Sequence, residues 1–159
     1  MDKSQTISLP DLATTAKLGT ALASVLRPGD TVLLQGDLGM GKTTLARAVI
    51  EALTGIADAP SPTYTIVQTY PLEGGDELWH ADLYRIEDEG ELEEIGLEDA
   101  FDDAICLVEW PDRLGAACPV DHLEVDISAE PGDETKTRRA RLTGRGSWEE
   151  RVDDIRTGG

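Results

Sequence analysis

Eight consecutive residues, Gly36-Asp37-Leu38-Gly39-Met40-Gly41-Lys42-Thr43, fit the pattern G-x-x-x-x-G-K-[ST]. That spacing answers one demand, the cradling of a triphosphate by backbone N–H groups. Glycines are needed where the chain turns sharply or must come too close for a Cβ. The lysine reaches the β- and γ-phosphates as a point charge, and the hydroxyl after it can hold Mg²⁺. The expected ligand is ATP with Mg²⁺, contacted by Gly36, Asp37, Leu38, Gly39, Met40, Gly41, Lys42, Thr43 and Thr44. A chance glycine-rich turn would lack the right setting, and here the setting is present. Thr31 to Gln35 is a short apolar run suited to a buried parallel strand. Leu45, Val49 and Leu53 recur at helical spacing after the loop, and Gly55 stands where a helix C-cap belongs.

Hydrolysis needs more than a cradle: a metal, an oriented water and charge stabilisation. Ala104 to Glu109 is an apolar strand ending in a carboxylate, the Walker B pattern with Glu in place of the more usual Asp. Pro111 stops that strand just after Trp110. Thr43 and Glu109 form the expected metal pair, Glu109 through a water. Asp82 ends a neighbouring strand, from which it could join the metal shell or orient the attacking water. Thr63 follows Ser61-Pro62 on a loop where switch-type NTPases place a threonine that senses γ-phosphate. The expected catalytic set is therefore Lys42, Thr63, Asp82 and Glu109. Each has a plainer alternative. Asp82 and Thr63 could be turn or cap residues, Glu109 a surface residue, and nearby His80 a satisfied structural histidine. The sequence contains no asparagine, so the N-K-x-D element that reads guanine is absent and adenine is the expected base.

These residues need strands and helices to hold them. Thr6 to Leu9 is expected as an edge strand, and Pro10-Asp11 opens a helix in which Leu12, Ala16, Leu22, Val25 and Leu26 can share a face. Arg27 to Asp30 turns the chain into the strand before the glycine loop. Thr63 to Tyr70 is β-branched and aromatic, and Glu77 to Leu83 returns after a Gly74-Gly75 hairpin turn. Alternation puts Trp79, Ala81 and Leu83 toward the core, and His80, Asp82 and Tyr84 on a more polar face. Glu87 to Asp103 carries ten acidic residues around Leu92, Ile95 and Phe101, which suits one or two short helices with a solvated side. Leu123, Val125 and Ile127 alternate with polar residues. Thr135 to Thr143 is the expected antiparallel partner across a turn at 130–133. That partner carries Lys136, Arg138, Arg139 and Arg141, either an edge guarded by charge or a contact for phosphate or protein. Ser147 to Ile155 should close the fold as a helix. The expected architecture is a single α/β P-loop domain over residues 1–156, with a largely parallel sheet flanked by helices, a C-terminal antiparallel hairpin and a disordered 157–159 tail.

The chain has 159 residues, enough for one core, and a net charge of −18 from 32 acidic and 14 basic residues. Such a chain repels polyanions unless its cations are gathered, so independent tRNA or DNA binding is not expected. Cys106 and Cys118 make no disulfide framework, and neither a signal sequence nor a membrane-length apolar run is evident. A cytoplasmic setting is the expectation.

GDLGMGKTT, SPTYTIVQTY, WHADLYR and LVEWPDR, in that order and spacing from about Leu9 to Arg113, resemble the TsaE family of bacterial ATPases in tRNA threonylcarbamoyladenosine biosynthesis. The C-terminal hairpin resembles it more loosely. The resemblance implies a small P-loop domain that works with the TsaB–TsaD pair, reaching tRNA only through that complex. It implies that TsaD transfers threonylcarbamoyl to the adenosine beside the anticodon in tRNAs reading codons that start with A. The TsaE-like chain then supplies ATP hydrolysis that keeps the complex turning over. Functional positions carried over are Lys42, Thr43, Thr63, Asp82, Glu109 and Trp110. Met40 stands where many relatives have alanine, and its backbone N–H still serves. Two rivals remain: a P-loop small-molecule kinase, which would need an arginine-bearing lid and an acceptor pocket, and a nucleotide-dependent scaffold without turnover.

Overall fold

The computed structural model describes residues 3–36, 41–62, 65–129 and 137–156. Asp37, Leu38, Gly39, Met40, Thr63, the 130–133 turn, Lys136 and the 157–159 tail lie outside the described residues. In chain order the elements are β1 (Lys3–Leu9), α1 (Leu12–Val25), β2 (Thr31–Gln35), α2 (Lys42–Thr54), β3 (Val67–Pro71), β4 (Glu77–Asp82), α3 (Glu89–Ile95), α4 (Leu97–Asp103), β5 (Ile105–Glu109), β6 (His122–Ala129), β7 (Arg138–Arg145) and α5 (Trp148–Arg151).

The strands form one seven-stranded sheet in the order β1-β7-β6-β2-β5-β4-β3. The four central strands β6, β2, β5 and β4 run parallel. The edges are antiparallel, with β3 on β4, β7 on β6 and β1 on β7. β2 lies mid-sheet, buried from Thr31 to Leu34, which is why it reads as an apolar run and not as an alternation. One face of the sheet packs Val32, Leu34, Leu107 and Val125 with Leu18, Leu22, Leu45 and Val49 of α1 and α2. The opposite face packs Leu33, Ala81 and Val108 with Leu92, Leu97 and Phe101 of α3 and α4.

α1 starts on Asp11, whose carboxylate accepts from the Thr14 backbone N–H at 2.8 Å. Its buried face is Thr15, Leu18, Gly19, Ala21 and Leu22; of the expected stripe Leu22 and Leu26 are buried, whereas Leu12 and Ala16 are exposed. Leu12 is 74% exposed. Gly19 explains the rotation, because a Cβ there would run into the Ala48 side chain and backbone of α2. The two helices touch through their smallest residues. The turn into β2 is tied by the Arg27 N–H to Asp30 Oδ2 at 2.7 Å. Asp30 also receives Arg151 from α5 at 2.7 and 2.8 Å, while the same guanidinium donates to the Val25 carbonyl and lies over the Trp148 ring. This pairing joins positions far apart in sequence and left no sequence signal.

β3 begins at Val67, leaving Thr65 and Ile66 of the expected strand outside it. Ile66 stands in the left-handed region at φ 70°, its N–H donates to the Pro62 carbonyl at 2.7 Å, and its own carbonyl accepts from Asp82 N–H at 2.8 Å. Tertiary hydrogen bonding thus overrides the strand preference of a β-branched residue. The acidic segment is two short helices joined at Gly96, with Leu92, Leu97, Ala100 and Phe101 inward and Glu93, Glu94, Glu98, Asp99, Asp102 and Asp103 exposed. β7 runs from Arg138 on to Arg145, past the expected end at Thr143, while the expected start at Thr135 lies outside the described residues. Among the described residues no helix is long and apolar enough to cross a membrane.

Candidate active site

Parallel pairing brings three strand ends to one edge. β2 ends at Gln35 and leads into Gly36, Glu109 at the end of β5 lies beside Leu34, and Asp82 at the end of β4 lies beside Glu109. α2 starts at the same edge. Gly41 is its N-cap at φ 103°, a left-handed conformation that a side chain would strain, and Lys42, Thr43 and Thr44 form its first turn. The first-turn N–H groups of a helix favour an anion. Of the residues expected to do chemistry, Gly36, Gly41, Lys42, Thr43, Thr44, Asp82 and Glu109 fall on the described part of this edge.

Thr43 and Glu109 touch directly: the Thr43 hydroxyl donates to Glu109 at 2.9 Å to Oε1 and 3.2 Å to Oε2. Glu109 is 2% exposed, which removes the surface alternative. His80 Nε2 lies 2.6 Å from Glu109 Oε2. A carboxylate in its ionised form only accepts, so in that form the contact requires the proton on Nε2. His80 is fully buried. The polar face expected for it is absent because the α1–α2 layer covers that side of the sheet, where His80 stands opposite Leu107 in the register. Asp82 is buried too, and its Oδ1 accepts from the Tyr84 backbone N–H at 3.0 Å. Leu83 N–H donates to the Glu109 carbonyl at 3.1 Å, so the ends of β4 and β5 are stitched together.

Lys42 donates to the Gly36 carbonyl at 2.7 Å, and its ammonium lies 3.6 Å from the centre of the Trp110 ring. Strand alternation would put Trp110 opposite Glu109. Instead the residue takes the left-handed conformation at φ 58°, leaves the strand ahead of Pro111, and turns its ring onto the lysine. Tyr84 packs against the same indole, ring centres 5.0 Å apart and tilted by 49°. Tyr84 is 46% exposed, so it does not share the burial of His80 and Asp82. Beside Lys42 and Trp110 opens a cavity of about 520 Å³, walled in part by Asp112, Glu124 and Asp126.

The donor chemistry is that of hard oxygen ligands, one hydroxyl and one carboxylate within hydrogen-bond distance. Among the described residues no group of three or more His, Cys, Asp or Glu side chains could cage a metal. The Thr43 hydroxyl and Glu109 carboxylate are of the kind that fits Mg²⁺, which takes one or two protein oxygens and completes its shell with phosphates and water.

Comparison with known proteins gives this edge its context. Residues 9–140 match the model of the family described as threonylcarbamoyl adenosine biosynthesis protein TsaE. The chain belongs to the TsaE family. The TsaE protein of Haemophilus influenzae is 37% identical over 131 residues, covering 79% of this chain and 82% of that protein. The Bacillus subtilis TsaE is 38% identical over 133 residues, 83% and 80% of the two chains. The crystal structure of Bacillus subtilis YdiB superposes with a TM-score of 0.78 at 30% identity, covering 97% of this chain and 94% of the other. TsaE proteins function in tRNA threonylcarbamoyladenosine biosynthesis, and the matched stretch of this TsaE chain contains every site residue named above. Sequence reasoning ranked His80 as structural and did not foresee Tyr84 on Trp110. A signal existed for His80, since alternation gives it the same face as Asp82, next to the strand carrying Glu109. None existed for Tyr84, because its contact depends on the left-handed turn at Trp110.

Proposed function

We propose that this chain is a Mg²⁺-dependent ATPase that supports threonylcarbamoyl modification of the adenosine beside the anticodon in tRNAs reading codons that start with A. It acts with the TsaB–TsaD pair in the cytoplasm. The observation that carries the reading is the direct Thr43–Glu109 contact at the mouth of a G-x-x-x-x-G-K-T loop, with Asp82 next in register. In this reading Lys42 leaves the Trp110 ring to neutralise the β- and γ-phosphates, and the first-turn N–H groups of α2 orient them. Thr43 and Glu109 would hold Mg²⁺, which when bound offsets phosphate charge. Asp82, buried beside Glu109, orients the attacking water or takes its proton. Thr63 would report the γ-phosphate to the Pro62–Ile66 turn, whose carbonyl at Ile66 is bonded to Asp82 N–H.

Partner contact follows from charge and exposure. At net −18 the chain is poorly suited to hold tRNA alone, and tRNA enters through the complex. The exposed Tyr84 ring, packed on Trp110 over the lysine, offers protein contact at the mouth of the site. A kinase would draw support from the 520 Å³ cavity as an acceptor pocket, but Arg138, Arg139 and Arg141 lie in strand β7 and not on a lid. The deciding experiment measures phosphate release from Mg-ATP by the wild type, Lys42→Ala and Thr43→Ala, with and without TsaB–TsaD. Inorganic phosphate from the wild type, lost in both variants, is expected. A phosphorylated metabolite would favour the kinase, nucleotide binding without release the scaffold, and wild-type activity in folded Lys42→Ala would sink the assignment.

A further inference from the structure

The Thr43 hydroxyl reaches both Glu109 oxygens at nearly equal distance, 2.9 and 3.2 Å, so it does not by itself fix how the carboxylate is turned. His80 breaks that symmetry through Oε2 at 2.6 Å. It does so at a cost. His80 is fully buried and its second ring nitrogen, Nδ1, has no hydrogen-bond partner among the described residues. An apolar side chain of similar volume would pack there without an orphaned polar atom, and removing both members of such a pair is often neutral for stability. The expense therefore points to what the histidine does for Glu109 and not to what it does for the fold.

We propose that His80 is a positioning residue: its Nε2–H holds Glu109 Oε2, reserving the other oxygen for the divalent cation that Thr43 and Glu109 would share. The inference rests on the metal reading of that pair. Groups that orient a metal-binding carboxylate from behind set affinity for the ion more than affinity for the rest of the ligand.

The test compares His80→Gln, whose amide nitrogen can stand where Nε2 stands, with His80→Asn, whose amide is too short to reach Glu109. Binding of a non-hydrolysable ATP analogue is measured by calorimetry across a Mg²⁺ titration and without metal, with thermal melts as the folding control. His80→Asn should need about tenfold more Mg²⁺ for half the metal-dependent gain in affinity, His80→Gln should stay within about threefold of wild type, and neither should change metal-free affinity. Equal Mg²⁺ requirements in the two folded variants, or equal losses of metal-free affinity, would overturn the proposal. A wild type with no Mg²⁺-dependent gain would overturn the metal reading and this inference together, whereas a wild-type gain indifferent to residue 80 overturns this inference alone. The ring nitrogens of ¹⁵N-histidine wild-type protein provide a check that needs no variant: the Nε2–H tautomer at His80 is expected, and an Nδ1–H tautomer would refute donation from Nε2 to Glu109 and with it the proposal.

Discussion

The ammonium of Lys42 sits 3.6 Å from the centre of the Trp110 ring while donating to the Gly36 carbonyl. A lysine that moves to phosphate must leave that ring, so the indole should report nucleotide binding. Wild-type tryptophan emission is expected to change on adding Mg-ATP, and Trp110→Phe should lose most of that change while still binding. Persistence of the full signal in Trp110→Phe would place the reporter at Trp79 or Trp148 and remove the lysine movement from the scheme.

Glu109→Gln and Asp82→Asn keep shape and remove charge at two buried carboxylates. Hydrolysis should fall by about 100-fold or more in each while affinity for ATP changes only a few-fold, the pattern of groups that act in the transition state. Single-turnover kinetics with separate binding measurements decide the matter. Equal losses in rate and affinity would assign both residues to ground-state binding.

Gly19→Ala tests the contact between α1 and α2. Its new Cβ meets Ala48, including backbone that cannot rotate away, so urea unfolding should show a loss of about 1–3 kcal/mol. An unchanged midpoint would mean that the two helices part without penalty. Nucleotide affinity should move little, because the contact lies behind the start of α2.

The thiols give a pH prediction. Burial pushes Cys106 from an ordinary value near 9 up to about 12. The unfolded chain therefore releases this proton first, and stability falls as pH rises from about 9 toward about 12. Below that window the group is neutral in both states and contributes no slope. Alkaline denaturation should be shallower in Cys106→Val. A thiol reagent should modify the half-buried Cys118 in the native protein and Cys106 only on unfolding. Fast native labelling of Cys106 would contradict its burial.

Much of the site was legible because its pieces are local. A glycine loop between an apolar run and a helical repeat fixes where Lys42 and Thr43 stand, and an apolar strand ending at Glu109 fixes the carboxylate. Parallel pairing then aligns Leu34, Glu109 and Asp82 across three strands. What stayed hidden depends on contacts between distant elements. His80 looked half-solvated because alternation reports two faces without saying that both are covered. The helix stripe of α1 was misjudged at Leu12 and Ala16 because the packing partner is drawn in by Gly19, and a hydrophobicity count gives glycine no weight. Ile66 and Trp110 adopt left-handed backbone that their own side chains disfavour, and only the surrounding hydrogen bonds and ring packing explain it.

The place of β7 between β6 and β1 has a consequence for synthesis on the ribosome. β1 is made before β7, and the residues it pairs with, Arg138 to Gly144, follow only after roughly 130 more have been joined. At about 5–20 residues per second, that is a wait of roughly seven seconds to nearly half a minute. Throughout it the nascent β1 has no partner from its own sheet, and its alternating Ser4, Thr6 and Ser8 keep one side of the waiting segment wettable. The sheet is then completed by a late-made strand entering an interior position, so translation must pass residue 138 before β1 can be locked in.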